Sequence, residues 1–163
     1  MIILGIDPGT ASTGYGVVRQ IKANNKNGMV LECLAYGLIR TFPTMLRGDR
    51  LKLLNNELNK IIKKYQPETM AVERLYFFKN LKTALPVSQA EGVILLTAAK
   101  KKIPVRQFTP LQVKMTVTGY GRAEKKEVQN KVKSILKLKE IPKPDDAADA
   151  LAIAMTCFLT KEA

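Results

Sequence analysis

The side chains available for chemistry in this 163-residue chain are narrowly restricted, because it contains no histidine. That excludes histidine-based triads, histidine general bases and histidine-containing zinc sites. Catalysis must rest on carboxylates, lysines, hydroxyls or a metal. Of five aspartates, three fall within Asp145-Asp146-Ala147-Ala148-Asp149. Asp7 closes the apolar run Ile2-Ile3-Leu4-Gly5-Ile6 just before a Pro8-Gly9 turn, and Glu73 closes a second run, Thr69-Met70-Ala71-Val72.

Each acid has an ordinary explanation by itself. Asp7 fits a turn-forming Asp-Pro-Gly. Glu73 fits a surface carboxylate paired with Arg74 or a lysine. Asp145 or Asp146 can cap a last helix, with the other acids complementing its dipole. Taken together they ask for more. Asp146 and Asp149 stand at i and i+3, so both project from one face of the first helical turn. The residues that follow, Ala150, Ile153 and Cys157, form an inward stripe that places Asp149 on the buried side. If the strands ending at Asp7 and Glu73 run side by side, up to four carboxylates meet at one sheet edge. Hard divalent ions, Mg²⁺ or Mn²⁺ with oxygen ligands, relieve the repulsion such a cluster creates. The chemistry that suits it is two-metal hydrolysis of a phosphodiester.

The elements that must position these acids can be read in order. Ile2–Asp7 is a buried strand, Thr13–Val18 pairs back on it, and Met29–Ile39 follows the turn cluster Asn24–Gly28. These three make an antiparallel meander. Leu51, Leu54, Leu58, Ile61, Ile62 and Tyr65 mark the apolar stripe of a helix. A strand at Thr69–Glu73 leads through the aromatic connection 74–80 to a helix over about Thr83–Lys102. Pro86 fits its first turn, and Gly92 suggests close packing against a neighbour. A strand over Ile103–Gln107 and a short helix capped by Thr109-Pro110 come next. A helix over Ala123–Leu138 has Val128, Val132 and Ile135 inside and Lys126, Asn130, Lys133 and Lys137 outside. The last helix runs from Asp145 or Asp146 to about Thr160. The order implies an α/β fold, a mixed five-stranded sheet flanked by helices, built as one domain over 1–163.

Charge indicates the partner. Lys and Arg total 27 against 14 acids, a net charge of +13. Such an excess favours a polyanion, since phosphate contacts release counterions. No apolar run reaches the roughly 20 residues of a membrane helix, and no secretory signal is evident. Cys33 and Cys157 have neither disulfide-framework nor metal spacing. A reduced, cytoplasmic protein is the expectation.

The same residues resemble the RuvC family of bacterial Holliday-junction resolvases. The resemblance is carried by Gly5-Ile6-Asp7-Pro8-Gly9-Thr10 with Thr13-Gly14-Tyr15-Gly16, by Ala71-Val72-Glu73, and by Asp146-Ala147-Ala148-Asp149-Ala150-Leu151-Ala152-Ile153-Ala154. It extends through Gln112-Val113-Lys114 and Gly119-Tyr120-Gly121-Arg122-Ala123-Glu124-Lys125, spanning nearly the whole chain. It implies an RNase H-like fold and a homodimeric, Mg²⁺-dependent endonuclease. Such an enzyme nicks two like-polarity strands of a four-way DNA junction symmetrically, alongside a RuvA-RuvB branch-migration complex. The family's catalytic acids fall on Asp7, Glu73, Asp146 and Asp149, with two Mg²⁺ per site and Asp145 peripheral. The resemblance places a DNA-contacting aromatic at Tyr76, and lysines near the scissile phosphate at Lys114 and Lys125. Phe77, Lys79, Arg122 and Lys126 join them as DNA-contact candidates. Core packing explains two of Tyr76, Phe77 and Phe78 equally well, and by charge alone each lysine is an ordinary solvated one. The dimer face is expected to be hydrophobic and can use the helix over Thr83–Lys102.

Other readings remain to be separated. Half of an actin-like or Hsp70-like ATPase shares the Asp-x-Gly-Thr opening, but needs a second comparable domain. Another RNase H-like nuclease, such as one maturing ribosomal RNA, lacks the Asp-Ala-Ala-Asp helix. A non-catalytic junction-binding protein leaves the acids to repel DNA.

Overall fold

The computed structural model describes residues 1–9, 11–22, 29–74 and 81–160, with the side chains of 81–83 left aside. Within them the chain forms β1 (Ile2–Asp7), β2 (Ser12–Lys22), β3 (Met29–Arg40), α1 (Arg47–Tyr65), β4 (Thr69–Glu73), α2 (Leu81–Lys100), β5 (Val105–Phe108), α3 (Pro110–Thr118), α4 (Lys125–Ile135) and α5 (Asp145–Leu159). The strands make one five-stranded sheet in the order β3-β2-β1-β4-β5. β1–β2 and β2–β3 are antiparallel, whereas β1–β4 and β4–β5 are parallel. The expected meander with parallel strands beside it is what forms. The expected turn at Asn24–Gly28 lies outside the described residues.

Strand alternation divides the core into two layers. Ile3, Val18 and Ala71 point to one face and pack with α5 and the α3–α4 layer. Leu4, Ile6, Val17, Met70 and Val72 point to the other and pack against α1 and α2. Fully withdrawing one such aliphatic side chain from water is worth about 1.5–3 kcal/mol. The helix α5 is enclosed by both the sheet and the outer helices, and every residue from Ala147 to Cys157 except Asp149 is buried. Its many alanines let it sit this deep. So do the glycines facing it: a Cβ on Gly5 would lie 2.7 Å from the Ala154 nitrogen, and one on Gly14 would lie 2.6 Å from the Asp146 carbonyl carbon. The C-terminal end of α5 is met by Arg106, whose guanidinium donates to the Cys157 and Thr160 carbonyls at 2.9 and 2.7 Å. Carbonyls left without a partner at a helix end are thereby satisfied.

Several local expectations need correction. Neither Asp145 nor Asp146 caps α5; Pro144 occupies the cap, and both acids lie in the first turn with their side chains engaged elsewhere. Helix α4 ends at Ile135, which is 38% exposed, and Leu136 takes the inner position instead. Lys137 lies beyond that helix with a left-handed backbone (φ 52°), so it is not on the helical outer face. Pro86 is the sixth residue of α2, past its first turn. Among the described residues, nothing lies within 4 Å of a Cβ placed on Gly92, so the expected close packing is not found there. The cap of α3 is as expected, with the Thr109 hydroxyl accepting from the Gln112 N–H and the Gln112 side chain accepting from the Thr109 N–H. No described helix is long and apolar enough to cross a membrane.

Candidate active site

Strand parity delivers the acids to one place. Asp7 shares the face of Ile3 and Gly5 on β1, and Glu73 shares the face of Ala71 on β4; both look toward α5. The parallel register Gly5↔Ala71 and Ile6↔Val72 brings the two strand ends level. Close approach of α5 to the glycines of β1 and β2 then sets its first turn against them. Carboxylate oxygens of Asp7, Asp146 and Asp149 lie within 4.8 Å of one another, each residue half-buried. Glu73 stands outside that trio but beside it, and its charge is felt by Asp7.

The electrostatics are those of crowded acids in poor solvent. Burial first, then the charges of Glu73, Asp149 and Asp146, push the Asp7 carboxyl up to about 8 against the pull of Lys125. Burial and Asp149 push Glu73 up to about 7, again opposed by Lys125. Asp149 is raised by burial, although Lys125 works in the other direction. Among the described residues, Lys125 is the cation that favours the charged form of Glu73.

Lys125, the first residue of α4, bridges Asp149 at 3.0 Å and Asp145 at 3.4 Å. Burial disfavours its charge, but the hydrogen bond and charge of Asp149, joined by Asp145, outweigh this and hold the ammonium above its ordinary value. Asp145 is the outer member of the cluster, also accepting from Gln129 at 3.0 Å. Glu73, Lys114, Lys125 and Asp149 line one cavity of about 240 Å³, closed behind by Val113 and Ala152. Lys114 thus shares a cavity with Glu73 and Asp149. Arg122 and Lys126 are exposed nearby in sequence but do not line that cavity. Tyr76, Phe77 and Lys79 lie outside the described residues.

One residue of the site goes beyond the sequence reading. The Ser12 hydroxyl donates to Asp146 Oδ2 at 2.6 Å. The signal was available: Ser12, Gly14, Gly16 and Val18 share one strand face, the face that meets α5.

An all-oxygen donor set whose members repel one another when charged is chemically matched to a hard divalent cation. Asp7, Asp146 and Asp149 fit that role, and Glu73 adds a fourth carboxylate at its edge. Lysines at the rim add positive charge where a phosphate would enter.

Comparison with known proteins gives the following. The RuvC family model, described as crossover junction endodeoxyribonuclease RuvC, matches residues 3–157. The chain is 55% identical over 155 residues to the crossover junction endodeoxyribonuclease RuvC of Desulforamulus reducens, covering 95% of this chain and 91% of that one. Among solved structures it is similar to Thermus thermophilus RuvC, with a TM-score of 0.88 and 34% identity over 98% of this chain and 94% of that one. It is likewise similar to T. thermophilus RuvC in complex with a Holliday junction substrate, with a TM-score of 0.86 and 31% identity over the same shares.

Proposed function

The chain belongs to the RuvC family of crossover junction endodeoxyribonucleases, and from that premise we propose that it resolves four-way DNA junctions by paired nicks made at the carboxylate cluster of Asp7, Glu73, Asp146 and Asp149. The observation that carries the assignment to this site is the convergence of three aspartates within 4.8 Å at the end of β1, on a chain of net charge +13.

Asp7, Asp146 and Asp149 hold the metal, for which Mg²⁺ is the natural ion and Mn²⁺ a substitute, with Glu73 completing the set for a second ion. Bound there, divalent ions supply activation of the attacking water and stabilisation of the leaving oxygen. The chain's own residues do the rest. Ser12 fixes the Asp146 carboxylate by donating to one of its oxygens. Lys125 favours the ionised form of Asp149 by pairing with it, against the burial that disfavours it. Lys114, across the same cavity, is placed to meet charge developing on the phosphate. Arg122 and Lys126 guide the backbone of a DNA arm, and Tyr76, Phe77 and Lys79 contact bases or phosphates near the crossover.

Symmetric cuts need two sites, so the active unit is a homodimer. Helix α2 supports this reading: Leu85 and Leu96 are 60% and 53% exposed, and among the described residues nothing lies within 4 Å of a Cβ placed on Gly92 between them. Those three share an i, i+7, i+11 stripe that suits a second copy of the same helix. A cytoplasmic enzyme working beside a RuvA-RuvB motor completes the proposal. Matched four-way, three-way and linear DNA incubated with Mg²⁺ tests it. Paired nicks confined to the four-way substrate are expected; equal cutting of linear DNA, or cutting of RNA alone, contradicts the assignment.

A further inference from the structure

Resting on the nuclease reading, one more feature stands at the catalytic end of the sheet. Asp7 lies opposite Gly14 on β2, Gly14 lies opposite Leu38 on β3, and Ser12 lies opposite Arg40. The chain leaving β3 therefore emerges on the rim that carries the carboxylates, where Ser12 donates to Asp146 at 2.6 Å. Hydrogen bonds fasten the next few residues. The Thr41 N–H donates to the Ala11 carbonyl at 2.9 Å, and the Met45 N–H closes a turn on the Phe42 carbonyl at 3.0 Å. Arg50 Nε donates to the Thr41 hydroxyl, also at 3.0 Å. On this fastened turn Phe42 is 61% exposed, and Leu46 after it is 76% exposed. Leu46 holds the cap position of α1, yet its side chain satisfies no helix N–H there.

We propose that Phe42 stacks on an unpaired nucleobase of the junction strand that lies across the carboxylates. An aromatic ring held in water by a hydrogen-bonded turn suits a flat apolar ligand, and little ordering remains to be lost on contact. In a DNA substrate the flat apolar surfaces are the base faces, which stack on an aromatic whatever the sequence. The surroundings are positive. Arg40 and Arg47 are exposed on either side of Phe42 in sequence, and Asp49 is the only acid between Cys33 and Asn56. On a chain of net charge +13 such a surface favours a nucleic-acid strand over a second basic copy. Phe42 follows Arg40 by two residues, so its backbone is within about 7 Å of the residue paired with Ser12. A paired duplex keeps its bases stacked on one another, whereas the crossover is where a base face becomes free. The contact therefore serves the branch point and not the duplex arms.

The test uses the full chain in EDTA, so that nicking does not interfere, and four-way junctions with 2-aminopurine placed in turn at each position beside the crossover. Binding of the wild type is expected to change the fluorescence of at least one such base, and Phe42→Ala to abolish that change. By anisotropy, Phe42→Ala is expected to weaken junction binding about 5- to 150-fold, the range of one base–aromatic stack. Its affinity for fully paired linear DNA stays at the wild-type value. Phe42→Trp restores junction affinity, and circular dichroism confirms that both variants are folded. Wild-type junction affinity and an unaltered base signal in Phe42→Ala overturn the proposal. So does an equal loss on junction and linear DNA, which assigns Phe42 to the duplex arms. A Phe42→Ala protein that sediments as a smaller species than the wild type also overturns it, by assigning the turn to a contact between copies. A wild-type protein that does not bind the junction removes the nuclease reading and this contact with it, whereas failure of the Phe42 readouts alone leaves that reading standing.

Discussion

The hydroxyl of Ser12 and the carboxylate of Asp146 are joined by a 2.6 Å hydrogen bond across 134 residues of sequence. The bond fastens the first turn of α5 to the start of β2, where the Gly14 backbone already lies against that of Asp146. Asp146 is thereby oriented before any metal or DNA arrives. Ser12→Ala is expected to raise the half-saturating Mn²⁺ concentration about 10-fold or more, as losing a partner of a metal ligand commonly does. Ser12→Thr restores it. Direct Mn²⁺ titration of the DNA-free protein reads the effect, and an unchanged midpoint in Ser12→Ala contradicts it.

The raised acids make metal-free stability depend on pH. Asp7 and Glu73 keep their protons in the folded state up to about 8 and 7, while in the unfolded chain they lose them near the ordinary carboxylate value. Between those limits the native state binds more protons, so stability falls as pH rises, by at most about 1.4 kcal/mol per pH unit for each group. Thermal melts in EDTA are expected to show a higher Tm at pH 5.5 than at pH 8. Mg²⁺ should raise Tm more at pH 8, because it binds the ionised acids. A Tm that climbs from pH 5.5 to 8 in EDTA shows that the acids are not crowded as described.

Lys125 opposes the rise of Asp149 through its 3.0 Å ion pair. Lys125→Met removes that support, so Asp149 needs a higher pH to ionise. Nicking near neutral pH is expected to fall about 10- to 100-fold, with the acid limb of the pH–rate profile moved to higher pH and partial recovery in Lys125→Arg. An unmoved limb assigns Lys125 to DNA contact alone.

Gly14 tests the seating of α5. A Cβ there would collide with the Asp146 carbonyl, so Gly14→Ala must push β2 and α5 apart. A loss of about 1–3 kcal/mol is expected, the usual cost of overpacking, together with reduced nicking. Gly48→Ala is the contrast, since its added Cβ meets nothing within 4 Å and alanine favours the helix. Chemical denaturation of both proteins reads the difference, and equal stabilities contradict close packing at Gly14.

Much of the site was legible before the fold. Continuous apolar runs end at Asp7 and Glu73, and helical spacing puts Asp146 and Asp149 on one face, so local pattern was enough to suggest convergence. Composition also pointed correctly to a polyanion. The sequence misled where a side chain's use depends on a distant element. Asp145 and Asp146 look like caps, yet Gln129, Lys125 and Ser12 draw their side chains away. Lys125 looks like any solvated lysine until α4 docks beside α5. Gly92 looks like a packing glycine, although no described residue lies within 4 Å of a Cβ placed there. Ile135 continues a helical stripe that ends one residue too soon to bury it.

The central claim is that the clustered acids cut DNA rather than bind it. Asp7→Asn keeps the shape of the most buried member while removing its charge. With Mg²⁺ and a synthetic four-way junction, nicking by this variant is expected to fall at least ~1,000-fold, about 4 kcal/mol of lost transition-state stabilisation. Its junction affinity in EDTA should equal or exceed that of the wild type, because a negative charge has been removed. Nicking that persists within about tenfold of wild type in Asp7→Asn contradicts the account.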